Sequence, residues 1–545
     1  MFGFATRTGT TFNNITCGYS YSGSAGPVHV DQHAIAFVPG SSSIMVIGND
    51  GGVHGTTNAN AATNSADPTW FNMDTGLNTI EFYSGDISGN FATAASPQAN
   101  GGAQDNGSMS VTFSGFPTGP VQWQMGRGGD GFYARIDPVG TGTNLRMWQG
   151  NNSGSLGRCI SNCTASGATW TSKTGAWTGD TQSFILPYDL FHGGVPGGDD
   201  CALAGASGGC GNLIAGTTRV WETITGNAAN ANGTVTWYVT NSPATQNLTK
   251  GTLGNRSFIN QVKYSPKFKS VAIVGTNDGN VWIGRNLGTG VAGQGLWTNV
   301  TSGNAILPNR PVLGIALDPT VPAANVPIGY AAVGGFNVNT PSTPGHVFRL
   351  VCAANCTTST WTDKSGNLPD IPVDSIIVNP NFPQQVFAGT DFGLYYTDDI
   401  TAVVPTWQRF TNGLPNVMIW DMQIDRGSTT LSVWTRSRGA YVWPLTLGPI
   451  NALPTLMAVN SATGNYGGTV DLQATLTSGG NGVAGRMVSF TLNGNSVGTA
   501  PTDSNGVATL LGASLTGING EAIPAASRPA LWAIAFTKPT RPPTA

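Results

Sequence analysis

Three short phrases carry most of the chemistry available to this chain. His29, Asp31 and His33 recur at every second residue, so an extended segment from Val28 to Phe37 sets two imidazoles and a carboxylate on one face. Such a donor set can hold a divalent cation, while a polar strand starting at a channel rim explains the same residues without one. Gly102-Ala103-Gln104-Asp105-Asn106-Gly107 and Gly126-Arg127-Gly128-Gly129-Asp130-Gly131 contain more glycine than a turn needs, which lets a ligand or a second backbone come close. Asp105 and Asp130 are the carboxylate pair to which acid–base work is assigned, with Asp50 as substitute. Arg127 is placed to pair with a carboxylate of a ligand or of Asp105.

The elements that must position these residues repeat. From Ala34 the chain reads apolar run, Pro-Gly turn, second apolar run Ile44 to Ile47, an Asn49-Asp50-Gly51-Gly52 turn and an aromatic strand at Trp70, which predicts a four-stranded antiparallel meander. Second strands ending in a glycine or polar turn recur at Gly48, Gly102, Gly150, Gly216, Gly275, Gly334, Gly389 and Trp434. Outer-strand aromatics recur at Phe12, Trp70, Trp123, Trp170, Trp237, Trp297, Trp361 and Trp407, offset by half a unit. The two series predict a closed ring of eight blades in which the Phe12 strand completes the last unit, Met418 to Leu445; seven blades is the alternative.

In such a blade, turns between the second and third strands and entries to the next blade lie at one end of the ring. Asp50, Asp105, Asp278 and Asp391 fall in the first class; His29, Asp31, Asp86 and Asp130 fall in the second. All are expected on one rim, although Asp-Gly and Asn-Gly are also what tight hairpins require.

Composition agrees with an all-β chain. Charged residues make up 9% of 545, against roughly 25% in ordinary globular proteins, and glycine is abundant at 76. The 24 Lys and Arg form no stripe and the net charge is −3, which argues against nucleic acid and anionic membrane partners. No run of about 18 apolar residues exists to span a bilayer. The phrase Cys-x3-Cys-Thr occurs at Cys159/Cys163 and again at Cys352/Cys356, and Cys201 and Cys210 bracket a glycine-rich loop, leaving Cys17 over. Small disulfide loops imply an oxidising compartment and hence secretion; zinc is the competing reading, without an adjacent histidine to support it. The N-terminus shows no signal peptide and reads as the middle of a strand pair, as a fragment or a misplaced start would.

Thr8-Gly9-Thr10-Thr11-Phe12 and Gly389-Thr390-x-x-Gly393-Leu394-Tyr395-Tyr396-Thr397-x-Asp399 resemble degenerate Asp-box (bacterial neuraminidase) repeats. Over residues 1–447 the chain is similar to secreted β-propellers related to xyloglucanase-type glycoside hydrolases and sortilin-type domains. Arg7 stands where the first box would carry its aspartate, a structural turn residue in that family. After a turn-rich joint at 448–454, strands from Leu456 with turns every 8 to 12 residues resemble a bacterial Ig-like module over 455–545.

The resemblance implies two functions. One is binding of an extracellular polysaccharide or protein through the acidic rim, with His29, Asp31, His33, Arg127, Tyr83 and Asp86 touching the ligand, no obligatory cofactor beyond a possible divalent cation, and a monomeric chain. The other is a xyloglucanase-like hydrolase, whose two carboxylates would stand about 5.5 Å apart if retaining and about 6.5 to 9.5 Å if inverting. A sialidase fits less well, because three clustered arginines and a Tyr-Glu pair cannot be assembled. Trp177 and Tyr188, with Tyr83, are candidate sugar platforms, though aromatics at blade spacing usually belong to the core. The tail after Gly520 is rich in proline and loses period-two alternation. A one-base shift would there encode a Phe-x-Gly-Asp-x-x-Tyr strand, so residues 521–545 are expected to be frameshifted.

Overall fold

The structure, a computed structural model, describes residues 5–8, 11–16, 28–61, 68–139, 145–201, 209–228, 232–411, 413–445, 455–478, 480–492 and 495–517. It is all-β, built largely of four-stranded antiparallel sheets in a β-propeller-like arrangement. Two compact units divide at Gly448/Pro449. In the first, seven four-stranded meanders cover residues 32–72 (sheet 1), 82–127 (sheet 2), 131–172 (sheet 3), 188–239 (sheet 4), 259–299 (sheet 5), 312–363 (sheet 6) and 373–409 (sheet 7). Sheet 8, residues 419–444, has three strands.

The first strands of sheets 2 to 8 touch in sequence, and that of sheet 8, Ile419–Ile424, returns to that of sheet 2, Phe82–Ile87. Glycine in the second strand makes these approaches possible. A Cβ at Gly275 would lie 2.5 Å from Val312 Cγ1 of the next sheet, one at Gly216 2.5 Å from Ile259 Cγ2, and one at Gly389 2.7 Å from the Ile419 carbonyl oxygen. In sheet 8 Trp434 holds the glycine position, and the relief is on the other side: its ring lies against Gly85 and Gly101 of sheet 2 and packs edge-on to Phe82 at 5.1 Å.

Outer-strand tryptophans stitch the sheets a second time. Four indole N–H groups donate to the residue that follows the previous sheet's outer strand: Trp237 to Lys173 O (2.9 Å), Trp297 to Thr240 Oγ1 (3.0 Å), Trp361 to Val300 O (2.6 Å) and Trp407 to Lys364 O (2.9 Å). A buried indole that lacked this acceptor would bear a desolvation penalty, so the bond fixes register between sheets.

Sheet 1 differs. Its first strand, Gln32–Phe37, is exposed along its length, with Ile35 at 48% and Phe37 at 51%, whereas Phe82–Ile87 and Gly131–Ile136 are buried throughout. Gly48 meets only its own sheet's Ala34, at 3.7 Å. The expected pairing of the Phe12 segment with Met418–Leu445 is not formed: Phe12 pairs with Arg7 in a two-stranded hairpin, and sheet 8 is instead clasped by residues 78–92. Gly439 N–H donates to Ile80 O, Asn78 to Arg438 O, and Phe91 N–H to Asp425. The physical reason is proximity in the ring, since the strand that follows residues 78–81 is the one on which sheet 8 packs.

All three cysteine pairs are bonded, with Cα separations of 5.7 Å (Cys159–Cys163), 4.7 Å (Cys201–Cys210) and 4.6 Å (Cys352–Cys356), inside the roughly 4.4–6.8 Å that a disulfide spans. No helix among the described residues is long and apolar enough to cross a membrane. In the second unit, Thr469–Ser478 pairs with Thr455–Val459 and with Val507–Ser514, and Met487–Leu492 pairs with Asn495–Pro501. Alternate residues Leu472, Ala474 and Leu476, and Val488, Phe490 and Leu492, are its core. Cys17, the 448–454 joint and the suspected frameshift at 521–545 lie outside the described residues.

Gly275→Val should destabilise the first unit by at least about 1–3 kcal/mol through overpacking, while Gly48→Ala should change stability by no more than about 0.5 kcal/mol. Chemical denaturation of the two variants checks this; equal effects would show that second-strand glycines do not govern sheet approach.

Candidate functional site

Asp105 occupies the turn between the second and third strands of sheet 2 with φ at 57°, a left-handed geometry that aspartate tolerates better than most residues. Asp130 immediately precedes the first strand of sheet 3, and its Oδ1 accepts the Asp105 backbone N–H at 3.2 Å. The same kind of turn in sheet 1 carries Asp50, whose carbonyl accepts Asn106 Nδ2 at 2.9 Å. Carboxylate oxygens of Asp31, Asp50 and Asp105 come within 4.8 Å of one another. These four aspartates therefore meet at the end of the ring where the inner strands of sheets 2 and 3 begin.

The His29, Asp31, His33 donor set is not assembled. Asp31 has φ at 59°, so the segment is not extended there and the three side chains do not share a face. Both histidines instead hold the carboxylate cluster in place. His29 Nε2 lies 2.8 Å from Asp105 O and its Nδ1 2.9 Å from Val30 O, and His33 Nε2 bonds Asp50 Oδ1. The residues that could ligate a cation are Asp31, Asp50 and Asp105, an all-oxygen set suited to a hard ion such as calcium.

Crowding of like charge changes the acid. Partial burial, then the neighbouring Asp130 and Asp50 charges and a hydrogen bond with the Asp130 carboxyl, push Asp105 up to about 6, against a smaller opposing pull from His29. The two aspartates assigned to acid–base work are neighbours, joined through the Asp105 N–H and Asp130 Oδ1.

Other assigned residues are elsewhere. Arg127 does not face Asp105; it donates to Gln149 O (2.8 Å) and Ser155 Oγ (2.9 Å) of sheet 3. Asp86 is fully buried near the far end of its strand, accepting Ile136 N–H at 2.9 Å and standing 3.1 Å from His192 Nε2, because an inner-strand residue five positions in lies away from the rim. Trp177 is buried against Trp221 and Trp237, and Tyr188 is buried with its hydroxyl on Tyr133 O, so both are core. Asp278 caps a turn by accepting the N–H groups of Lys250 and Gly251. Asp391 raises the buried Asp374, whose carboxyl is pushed well above the usual range by desolvation first and by Asp391 second.

Tyr83 does reach the rim, but its ring is covered. The Arg436 guanidinium stacks 4.6 Å from it and 5.1 Å from Trp420, and donates through Nε to Glu81 Oε1 at 2.6 Å. Glu81, Trp420 and Arg436 are absent from the sequence-derived set. Arg436 follows the second strand of sheet 8 just as Asp50 and Asp105 follow theirs, and that shared turn position was the available signal.

Because Asp105 is protonated more readily folded than unfolded, it removes stability as pH rises from its unfolded value through about 6. Asp105→Asn should therefore be more stable than the parent above pH 6 and gain nothing near pH 4, by under about 1 kcal/mol given its partial exposure. Melting temperature against pH for the two proteins checks the sign. Comparison with protein-family models finds no match to this chain, and comparison with curated proteins finds none either.

Proposed function

We propose that this protein is an extracellular β-propeller that binds a polymer, glycan or protein, at its acidic rim. The convergence of Asp31, Asp50 and Asp105 on one end of the ring, with Asp130 bonded beneath, carries the reading. The cluster offers acceptors, so the ligand supplies donors: sugar hydroxyls or the basic side chains of a protein. Arg436, stacked against Trp420 and over the buried Tyr83 ring, supplies a cationic group nearby. Three disulfides support an oxidising, extracellular setting. The cyclic contact of seven inner strands supports seven blades, with sheet 1 beside the ring as an eighth sheet, and the alternating second unit supports an Ig-like module.

A hydrolytic reading draws on Asp105 alone, since a general acid needs a carboxyl that keeps its proton towards neutral pH. It requires a second, ionised carboxylate beside the bond to be broken.

Asp50→Asn combined with Asp105→Asn should weaken retention on immobilised polysaccharides or basic peptides by about tenfold or more, the worth of charged hydrogen bonds, without releasing reducing ends from xyloglucan or β-glucans. Unchanged retention would end the rim reading. Release of reducing ends that the Asp105 variant lacks would replace binding with hydrolysis.

A further inference from the structure

The opposite mouth of the ring holds a cavity of about 130 Å³, formed where the inner strands of sheets 4 to 8 end. One water needs only about 10–15 Å³ of such volume, so the space admits a small organic molecule. Leu190, Phe191, Pro266 and Ile377 give it apolar walls, and Lys263 and Arg426 stand among them.

The acids around this cavity are already satisfied. Asp189, on its wall, accepts Arg135 Nε at 3.2 Å and Tyr264 N–H at 3.0 Å. Asp425, also on the wall, accepts the N–H groups of Phe91, Thr429 and Thr430 and the Thr429 hydroxyl. Asp421, behind it, accepts Ser84 Oγ at 2.6 Å and Met422 N–H at 2.9 Å, and lies 3.5 Å from Arg135 Nη1. Lys263 is different. Its ammonium carries three donors, its nearest acidic oxygen is Asp421 Oδ1 at 3.7 Å, beyond hydrogen-bond length, and its side chain is only 14% exposed. Among the described residues this ammonium has the Asp421 ion pair and no hydrogen bond within normal length, so beside a cavity with apolar walls it keeps donors to spare.

We propose that this cavity binds a small organic carboxylate, its oxygens on the Lys263 ammonium and its body against Leu190, Phe191 and Ile377. A charge-assisted hydrogen bond in a confined apolar site fits the donor left over, and the spent acids offer little to a cationic ligand. The site is independent of the acidic rim, which lies at the other end of the inner strands.

Butyrate and its neutral isostere butyramide, titrated into the full chain by calorimetry and ligand-observed saturation transfer, test the idea. Butyrate should bind at least about tenfold more tightly than butyramide. Lys263→Met should erase that difference, Lys263→Arg should keep it, and Asp105→Asn should leave it unchanged. Ile377→Trp, which fills the cavity and spares Lys263, should abolish binding and covers the case in which Lys263→Met does not fold. Equal affinity for the two probes, no binding of either, or butyrate binding that survives Ile377→Trp would each overturn the proposal.

Discussion

The close approach of a sheet's second strand to the next sheet's inner strand, as in sheets 4, 5 and 7, is the contact on which the rest depends. It exists because Gly216, Gly275 and Gly389 carry no Cβ; with one, the neighbouring strand would have to move by roughly the difference between the 2.5–2.7 Å seen and an ordinary van der Waals separation. Moving one inner strand moves both mouths of the ring, because the turns that bear Asp105 and Asp130 are extensions of these strands. Where the series reaches Trp434, a bulky ring takes the glycine position and two glycines on sheet 2 accept it. The closing contact is thus made from the same complementarity as the others, with the large and small partners exchanged.

Buried charge follows from the same geometry. Inner strands from different sheets face one axis, so polar side chains on them must satisfy one another far from water. Arg135, fully buried, reaches Asp189 and Asp421 on two other sheets and Ser84 on a third. Removing one member of such a set leaves an uncompensated charge, which is costlier than the set itself is stabilising. The two mouths of the ring then have opposite characters. At one, aspartates are crowded until Asp105 holds its proton to about 6; at the other, each acid is spent on a donor and Lys263 is left over.

Much of this was legible in the residues. The outer-strand tryptophans at Trp237, Trp297, Trp361 and Trp407 recur because each must reach a carbonyl or hydroxyl of the preceding sheet, and that need leaves a periodic mark. The Cys-x3-Cys phrase leaves another, since so short a loop keeps its sulfurs in reach of each other. Asp50, Asp105 and Asp130 were recognisable from their turns. The fate of Arg127 was not, because a glycine-rich turn does not reveal toward which neighbour its arginine swings. Nor was that of Trp177, since an aromatic in a long connection looks the same in sequence whether it is exposed or folded back against Trp221.

The sequence by itself determined the strand, its turn and the meander, because hairpin chemistry and apolar alternation act over fewer than a dozen residues. It also determined which positions had to be small and which aromatic. Only the tertiary structure decided which sheet closes on which. Sheet 8 meets sheet 2, through Trp434 and residues 78–92, and not the Phe12 strand, because that choice compares packing surfaces more than 300 residues apart. The site shares this origin. Asp31, Asp50 and Asp105 belong to different turns of the chain, and Arg436 reaches Tyr83 across 353 positions. No local pattern encodes a distance between groups that the ring alone brings together.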